Sequence, residues 1–425
     1  MTRNILTETF EVDRTGRPGD SGPGTAITRR AFVQALGAGL LITVTETVSF
    51  GQRRGRRGGS RGAQNVAARL HVNQDGTITV MTGKVEEGQG SRAQLTQAAA
   101  EELRVPAARI RLVMADTALV PDDGITAGSR TTPSTVPAVR RGAATARELL
   151  TQFAAERWNV DPGALEVNRG TITHKPTKRT VGYADLARSP EMVEAFKGRM
   201  PEDVAVTPVG RWEVIGTPVP RPNLRGLVTG NHRYPSDIAR PDMLYGKVLR
   251  PPSYGATLQS VDLSAAEAMS DVVVVQDGQF VGVAARSTFR ADQALQKISE
   301  TAIWKTVSQP SGSDLFEHLK KHAGRGWPQK RGSLENALTR AHKVLDETYT
   351  VSYVQHAPME PRAATAEWKD DKLTVWTGVD GPHRVQGDLS RALGVPVNRV
   401  RVVVPEMGGG FGGKHSGEAA EEAAR

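Results

Sequence analysis

The sequence predicts a mixed α/β protein in which a strand–helix–strand unit occurs twice, with a smaller domain inserted between the two copies. The first copy contains DGTITVMTG at residues 75–83 and LRVPAARIRLVM at residues 103–114. The second contains DKLTVWTG at residues 371–378 and LGVPVNRVRVVV at residues 393–404. Alternating β-branched residues indicate strands, and apolar residues spaced by three and four indicate the helices between them.

The helix of each unit is predicted to end just before a Val-Pro step. Residues 94–103 and 385–393 carry apolar side chains at helical spacing, and Pro106 and Pro396 follow them. Proline cannot continue an α-helix, because it lacks the N–H group and its ring clashes with the preceding turn. Each unit should therefore run strand, loop, helix, turn and strand, which makes the loops after matching strands equivalent.

The sequence between the two units resembles neither of them and predicts further elements. Helical spacing and alternation indicate, in order, a helix over 139–158, a hairpin over 165–174, strands over 244–249, 272–276 and 279–285, and a helix over 290–303. We therefore expect a distinct small α/β domain within the central part of the chain.

The composition of the 425 residues excludes several classes of site. The chain is long enough for about two or three domains with buried cores. It contains no cysteine, which excludes disulfides, cysteine-ligated zinc, a thiol nucleophile and iron–sulfur ligation by this chain. Aromatic residues make up 5% of the chain, which argues against a stacking surface for single-stranded nucleic acid.

The basic charge lies mostly in the first part of the chain. Residues 1–70 carry 11 arginines and 5 acidic residues, which supplies +6 of the formal net charge of +9. Nucleic-acid binders carry their basic residues on the folded domain. The balanced charge of the remaining sequence therefore predicts no nucleic-acid partner.

The N-terminal region predicts export. Arg29 and Arg30 precede an apolar run over residues 35–44, which is the pattern read by the twin-arginine export machinery. The alternative is a chance arginine pair before an exposed helix, and no small-x-small cleavage site follows the run. Residues 1–50 form the predicted leader and residues 51–64 a flexible Gly/Arg linker, and we expect a periplasmic or exported protein.

Four loops follow the strands of the duplicated unit and are candidates for a ligand site. The first copy supplies residues 84–90 and 121–133, and the second supplies residues 379–383 and 408–415. Ligands of open α/β units gather at the carboxyl ends of strands. The loops are rich in Gly, Ser, Thr or Pro, so they could also be plain turns. Their equivalent positions favour a shared ligand cradle.

The run GGGFGGK at residues 408–414 satisfies the glycine and lysine spacing of a phosphate-binding loop. The following residue should be Ser or Thr to ligate magnesium, and it is His415. A nucleoside triphosphatase is therefore a remote alternative. A run this rich in glycine still allows backbone amides to approach an anionic or polar ligand closely.

Three motifs in combination resemble the molybdopterin-binding subunit of the xanthine dehydrogenase/aldehyde oxidase family, and within it the isoquinoline 1-oxidoreductase β-subunit group. They are VEEGQG at residues 85–90, TAGSRTTPS at residues 126–134 and GGGFGGK at residues 408–414. Residues 231–250 resemble the a/b hammerhead domain of that family. The resemblance divides the sequence into a first molybdopterin-binding segment over 65–220, a hammerhead domain over 221–306 and a second, incomplete molybdopterin-binding segment over 307–425.

The resemblance implies a molybdenum–molybdopterin cofactor, in its cytosine dinucleotide form, whose own sulfur atoms hold the metal without a protein ligand. It implies oxidation of an aldehyde or N-heterocycle with water as the oxygen source, and electron transfer to a small partner subunit with 2Fe–2S clusters. The residues that would bind the cofactor are Gln89, Gly128, Ser129, Thr131, Gly409, Gly410, Phe411 and Gly412. His415 would face the substrate channel.

The chain departs from the family pattern at three places. The second-copy loop reads Gly378-Val379 where relatives often carry a glutamine near the metal, and His415 replaces the glutamate of purine-hydroxylating relatives. The general base of the family is a glutamate in a Gly-x-Gly-Glu motif, which is expected beyond Arg425. The chain therefore reads as truncated, and the competing hypothesis is a non-catalytic cofactor-binding fragment or assembly module.

Overall fold

The computed structural model describes residues 39–48, 64–189, 204–326 and 331–425. These residues form two compact units, one of residues up to 242 together with 356–425, and one of residues 243–355. The predicted hammerhead domain covers 221–306, so the inserted compact unit begins and ends later in the sequence. The arginine pair of the leader and most of the linker lie outside the described residues.

The first copy of the repeat lies in a four-stranded sheet. Its strands are β1 (Gly39–Val48), β2 (Gln64–Asn73), β3 (Ile78–Thr82) and β4 (Ile110–Met114), in the order β1-β2-β3-β4. Helix α1 (Ser91–Leu103) connects β3 to β4, which are parallel as the strand–helix–strand prediction requires. Strand β1 takes up part of the apolar run of the predicted leader and pairs antiparallel with β2.

A long helix and a small sheet follow the first copy. Helix α2 spans Val136–Trp158 and contributes buried alanines and Leu150 to the core. The elements after it are β5 (Leu165–Asn168), β6 (Thr171–His174), β7 (Thr180–Gly182), α3 (Tyr183–Ala187) and α4 (Leu224–Val228). Strands β5 and β6 form the predicted hairpin. Single turns of 3₁₀ or π helix occur at Ala107–Arg109, Thr131–Thr135, Pro162–Ala164, Val209–Arg211 and Pro235–Asp237.

The inserted unit has its own core. Its elements are β8 (Tyr245–Val248), β9 (Thr257–Ser260), α5 (Ser264–Glu267), β10 (Val272–Asp277), β11 (Phe280–Ala285), α6 (Thr288–Thr301), β12 (Ile303–Lys305), α7 (Leu315–Lys321) and α8 (Leu334–Arg340). Strands β10, β11 and β8 form one antiparallel sheet, and β12 pairs with β9. Ala291, Ala294 and Ile298 of α6 are fully buried, which places its apolar stripe in this core.

The second copy repeats the order of the first. It consists of β13 (Ala364–Lys369), β14 (Lys372–Thr377), α9 (Pro382–Leu393), a 3₁₀ turn at Val397–Arg399, β15 (Val400–Val403) and α10 (Glu418–Ala424). Strands β14 and β15 are parallel and joined through α9, as β3 and β4 are through α1. The predicted mixed α/β fold with a duplicated unit is confirmed.

The two copies join edge to edge within one unit. The amide of Val404 donates to Ala115 O at 3.0 Å, and the amide of Thr117 donates to Val402 O at 3.0 Å. Between them the buried Asp116 forms an ion pair with Arg401 at 2.5 Å. One apolar cluster includes residues of both copies, so the copies fold around a common core.

Each copy also carries a strand that the sequence analysis did not assign. Strand β2 pairs antiparallel with β3, and β13 pairs antiparallel with β14. The repeated unit is therefore a hairpin followed by a helix and a parallel strand. Among the residues that the structure describes, no helix combines the length and apolar character needed to cross a membrane.

Candidate functional site

The two loops of the first copy are joined by buried hydrogen bonds. The amide of Val85 donates to Thr126 Oγ1 at 2.9 Å, and Lys84 Nζ donates to Ile125 O at 2.8 Å. The Asp123 carboxylate accepts from the amide of Gly83 at 2.9 Å. These contacts hold residues 84–90 beside residues 121–133.

The loops of the second copy meet those of the first. The amide of Met407 donates to Glu86 O at 3.1 Å, and the amide of Thr126 donates to Asp380 O at 2.7 Å. The amide of Asp380 donates in turn to Lys414 O at 3.2 Å. All four predicted loops therefore converge. We call residues 84–90, 121–133, 379–383 and 408–415 the four-loop junction.

The glycine run of the junction has an unusual backbone. Gly409 and Gly412 have φ angles of 85° and 97°, and Phe411 between them has a φ of 52°. Left-handed conformations are strained for a residue with a Cβ, whereas glycine adopts them freely. The Phe411 ring is 74% exposed, so little burial offsets its strain. Strain of this kind concentrates at ligand-binding sites.

The amides of the run provide a test of whether the predicted cofactor fits. Within the described ranges, no group accepts a hydrogen bond from the amides of Gly409, Gly410, Phe411 or Gly412. Gly409 and Gly410 are nevertheless buried. Buried amides are almost always paired, and glycine-rich turns with free amides are common anion sites. The run therefore fits a ligand with hydrogen-bond acceptors, such as a pterin edge or a phosphate.

Lys414 closes the glycine run without exposure to solvent. It is fully buried, and its Nζ is 3.5 Å from Oε2 of Glu360, which also accepts a hydrogen bond from the amide of Gly408. Burial lowers the pKa of Lys414, and the Glu360 carboxylate opposes that shift. A phosphate-loop lysine must reach its ligand, so this arrangement argues against a nucleoside triphosphatase.

Two acidic side chains of the junction have raised pKa values. Burial, and then the negative charges of Asp380 and Glu86, raise the pKa of Glu87 to about 8, against the influence of Lys414 and Lys84. Burial also raises the pKa of Asp380, which forms a hydrogen bond with Nδ1 of His415.

Those two acids each retain an unused oxygen. Among the described side chains, Oε1 of Glu87 and Oδ1 of Asp380 are buried without a hydrogen-bond partner. Perturbed carboxyl groups with unmet hydrogen bonds are typical of functional sites.

Two family models match this chain, both described as a molybdopterin cofactor-binding domain, one over residues 25–223 and one over residues 316–424. The chain belongs to the xanthine dehydrogenase family of molybdopterin-binding subunits. The first matched segment ends before the inserted unit, the second begins within it at residue 316, and together they include the four loops of the junction.

Similar proteins support the same family. A nicotinate dehydrogenase subunit of Pseudomonas putida is 29% identical over 362 residues, which are 82% of this chain and 30% of that protein. The beta subunit of isoquinoline 1-oxidoreductase of Brevundimonas diminuta is 28% identical over 442 residues, covering 91% of this chain and 56% of that protein. The chain therefore spans less than two thirds of the length of either relative.

One solved structure is similar to part of this chain. The crystal structure of quinoline 2-oxidoreductase from Pseudomonas putida 86 aligns with a TM-score of 0.39 and 25% identity. The alignment covers 47% of this chain and 31% of that one.

The predicted molybdopterin-binding residues differ in how much of their hydrogen bonding is already used. The Gln89 side chain accepts from the amide of Glu87 at 2.6 Å and donates to Val85 O at 2.9 Å, so both ends of its amide are engaged within the loop. Gln89 is exposed, and a ligand would have to share or replace these bonds.

The remaining predicted cofactor-binding residues of the first copy, Gly128, Ser129 and Thr131, lie in the loop over residues 121–133. Gly128 and Ser129 have φ angles of 59° and 54° and are exposed, whereas Thr131 is 8% exposed. Thr131 begins the π-helical turn Thr131–Thr135. The backbone here thus turns sharply beside Thr126, which links both copies.

Several charged residues in or beside the junction were not among the predicted site residues. Glu87, Asp380 and Glu360 lie in or beside the predicted loops, and Lys414 was considered only as a phosphate ligand. Glu360 lies between Pro358 and Pro361, which excludes a regular helix there but favours a structural and a functional carboxylate equally. Pairing across a distance of about fifty residues, as between Glu360 and Gly408, leaves no trace in one sequence.

Proposed function

We propose that this chain is the molybdopterin-binding part of an exported molybdenum hydroxylase that oxidises an aldehyde or an N-heterocycle with water as the oxygen source. The observation that carries the proposal is the run of unpaired amides at Gly409–Gly412, set where the four loops converge. The match to molybdopterin cofactor-binding domains supports a molybdopterin as the ligand of these amides.

The residues of the junction would hold the cofactor from two sides. The amides of Gly409, Gly410 and Gly412 would donate hydrogen bonds to its acceptors, and Phe411 would cover the exposed side. The opposite side would be lined by residues of the first copy, which are Gln89, Gly128, Ser129 and Thr131. His415, held by Asp380, would border the space for substrate.

When bound, the cofactor, which we propose to be molybdopterin cytosine dinucleotide, would supply the redox chemistry of the reaction. The chain contains no cysteine, so it cannot ligate an iron–sulfur cluster. We propose a small 2Fe–2S subunit as the partner that accepts the electrons of the substrate.

Metal and pterin analysis tests the proposal directly. The chain, as it occurs in its native complex, should contain molybdenum and release a pterin with a cytosine nucleotide on denaturation. Gly410→Val should lower the content of both by about tenfold or more, because its side chain would fill the cradle beside Met407 and Lys414. Gly312→Val controls for loss of glycine, because Gly312 lies in the inserted unit, has no left-handed φ and has open space around it.

The outcomes separate the candidate functions. A complex with no molybdenum and no pterin contradicts the proposal. Bound cofactor without oxidation of any aldehyde or N-heterocycle, in the presence of the iron–sulfur subunit, favours the non-catalytic cofactor-binding module. Magnesium-dependent ATP binding that Lys414→Ala abolishes would favour the nucleotidase.

Export has its own test. Replacing Arg29 and Arg30 with lysine should leave the protein in the cytoplasm, because the twin-arginine machinery requires the arginine pair. Cell fractionation measures the distribution. Equal recovery of the variant and the unchanged protein from the periplasm contradicts the export proposal.

A further inference from the structure

Glu360 contacts both ends of the glycine run. Its carboxylate accepts a hydrogen bond from the amide of Gly408, which opens the run, and its Oε2 is 3.5 Å from Nζ of Lys414, which closes it. Glu360 is 7% exposed and Lys414 is 0% exposed. One buried carboxylate thus bridges a loop whose central amides are unpaired.

The packing around Glu360 is tight. A Cβ added to Gly408 would lie 2.6 Å from Cβ of Glu360, a distance that forces a shift. A Cβ on Gly378, which follows β14, would lie 3.5 Å from Oε1 of Glu360 and 3.4 Å from Nζ of Lys414. Glycine at both positions lets the carboxylate and the ammonium approach the backbone closely.

The charges of the pair depend on each other. A buried ammonium is costly without a nearby negative charge, and removal of one partner of a buried pair costs more than removal of both. The Glu360 carboxylate supplies most of the negative charge that opposes the effect of burial on the pKa of Lys414. Lys414 also lies under the backbone of the run, with its Cβ 3.6 Å from a Cβ placed on Gly410.

We propose that Glu360 and Lys414 form a clamp that fixes both ends of the glycine run, so that its central amides stay aligned for a ligand. Glu360 is a positioning residue, because it acts through the loop and not on the reacting atoms. The identity of the ligand as a molybdopterin rests on the proposed function. The clamp itself rests on the contacts of Glu360 alone.

Hydrogen–deuterium exchange of the Gly408 and Gly413 amides, which are hydrogen-bonded to Glu360 and to Gly410 O, tests the clamp in the full chain without cofactor. Glu360→Gln keeps an acceptor for the amide of Gly408 but removes the charge, and Lys414→Met removes the other charge. Each change should speed exchange of the loop by about tenfold or more, because each leaves one buried charge uncompensated. The double variant should exchange about as fast as the faster single variant and no faster, because both changes break the same contact.

Two controls exclude a general loss of structure. Amides of β3 should keep their exchange rates in every variant. Glu367 on β13 forms a partly exposed ion pair with Arg240 at 3.0 Å. Glu367→Gln breaks this pair and should leave the exchange rates of residues 408–414 unchanged. Unchanged loop exchange in both single variants, or a double variant that exchanges as fast as the two effects combined, overturns the clamp.

Pterin retention in the native complex gives a second readout. Glu360→Gln should release the pterin about tenfold faster, and the additional change Lys414→Met should not speed release much further, because the contact is already broken. Release at the original rate from Glu360→Gln overturns the role of the clamp in ligand alignment. A complex that never contained pterin contradicts the proposed function, whereas the exchange pattern still decides whether the clamp exists.

Discussion

The two copies of the repeat end in loops that use their hydrogen bonds in opposite ways. In the first copy, the Glu86 carboxylate accepts from the amides of Gly88 and Gly90 at 2.9 Å and from the amide of Arg92 at 2.8 Å. In the second copy, the amides of Gly409–Gly412 find no acceptor within the part of the chain that the structure describes. The 84–90 loop of the first copy is therefore closed on itself, whereas the glycine run of the second copy offers donors to a ligand.

The glycines that follow the matching strands β3 and β14 also differ in how closely they are packed. Gly83 follows β3, and a Cβ there would lie 2.3 Å from the carbonyl oxygen of Pro121. Gly378 follows the equivalent strand β14, and a Cβ there would meet only side-chain atoms at 3.4–3.5 Å. Backbone cannot yield as a side chain can, so the first copy should tolerate change less.

Gly83→Ala should have the largest effect on stability. We expect it to lower the free energy of unfolding by about 2–3 kcal/mol, because the loop carrying Pro121 must move away from β3. Gly378→Ala should cost less than about 1 kcal/mol, since its neighbours include the flexible ends of Lys414 and Glu360. Urea denaturation measures both, and equal losses would contradict the closed and open character of the two copies.

The duplicated fold could be predicted because its signals are local. Alternating residues mark β3 and β14, and the Val-Pro steps at Pro106 and Pro396 mark the helix ends. Strands β2 and β13 were missed because their pairing is set by hairpins with the next strand. The hairpin predicted over 165–174 does form, and Arg169 and Gly170 at its turn both adopt positive φ.

The site could be predicted only in its backbone. Glycine-rich loops after matching strands indicated a common cradle, and all four loops do converge. The ion pair between Asp116 and Arg401, and the contact of Glu360 with Lys414, join residues far apart in sequence. Such contacts depend on how the copies pack, which composition and periodicity do not encode. The roles of Gln89 and of the other cofactor-binding residues remain predictions.

Glu87, which lies where the copies meet, should make stability depend on pH. The pKa of its carboxyl group is about 8 in the folded chain, compared with the usual value of 4.5 for a glutamate in an unfolded chain. Between these values the unfolded chain has lost the proton and the folded chain retains it, so stability falls as pH rises from 4.5 to 8. Glu87→Gln should therefore gain stability relative to the unchanged protein over this range, by about 1–2 kcal/mol at pH 8 once solvent screening is considered.

Thermal unfolding at pH 4.5, 6 and 8 measures this difference. Glu367→Gln removes a carboxylate on β13 and should show no such rise. Asp380→Asn should lower the pKa of Glu87, because one of the negative charges that raise it is removed. Parallel pH profiles for Glu87→Gln and the unchanged protein would show that Glu87 ionises normally and that the copies do not meet through a buried acid.

The smallest expected effect on stability comes from relieving backbone strain, and it tests whether the strain at Phe411 is linked to ligand binding. Phe411 and Arg104 both have left-handed φ angles, 52° and 51°, and Gly394 of the second copy matches Arg104 at the helix end. Phe411→Gly and Arg104→Gly should each stabilise the fold by less than about 1 kcal/mol, because glycine relieves the strain but adds freedom to the unfolded chain. Only Phe411→Gly should also reduce pterin retention, since the open copy uses its strained residue at the cradle. Pterin loss from both variants, or from neither, would place the strain of Phe411 outside the ligand site.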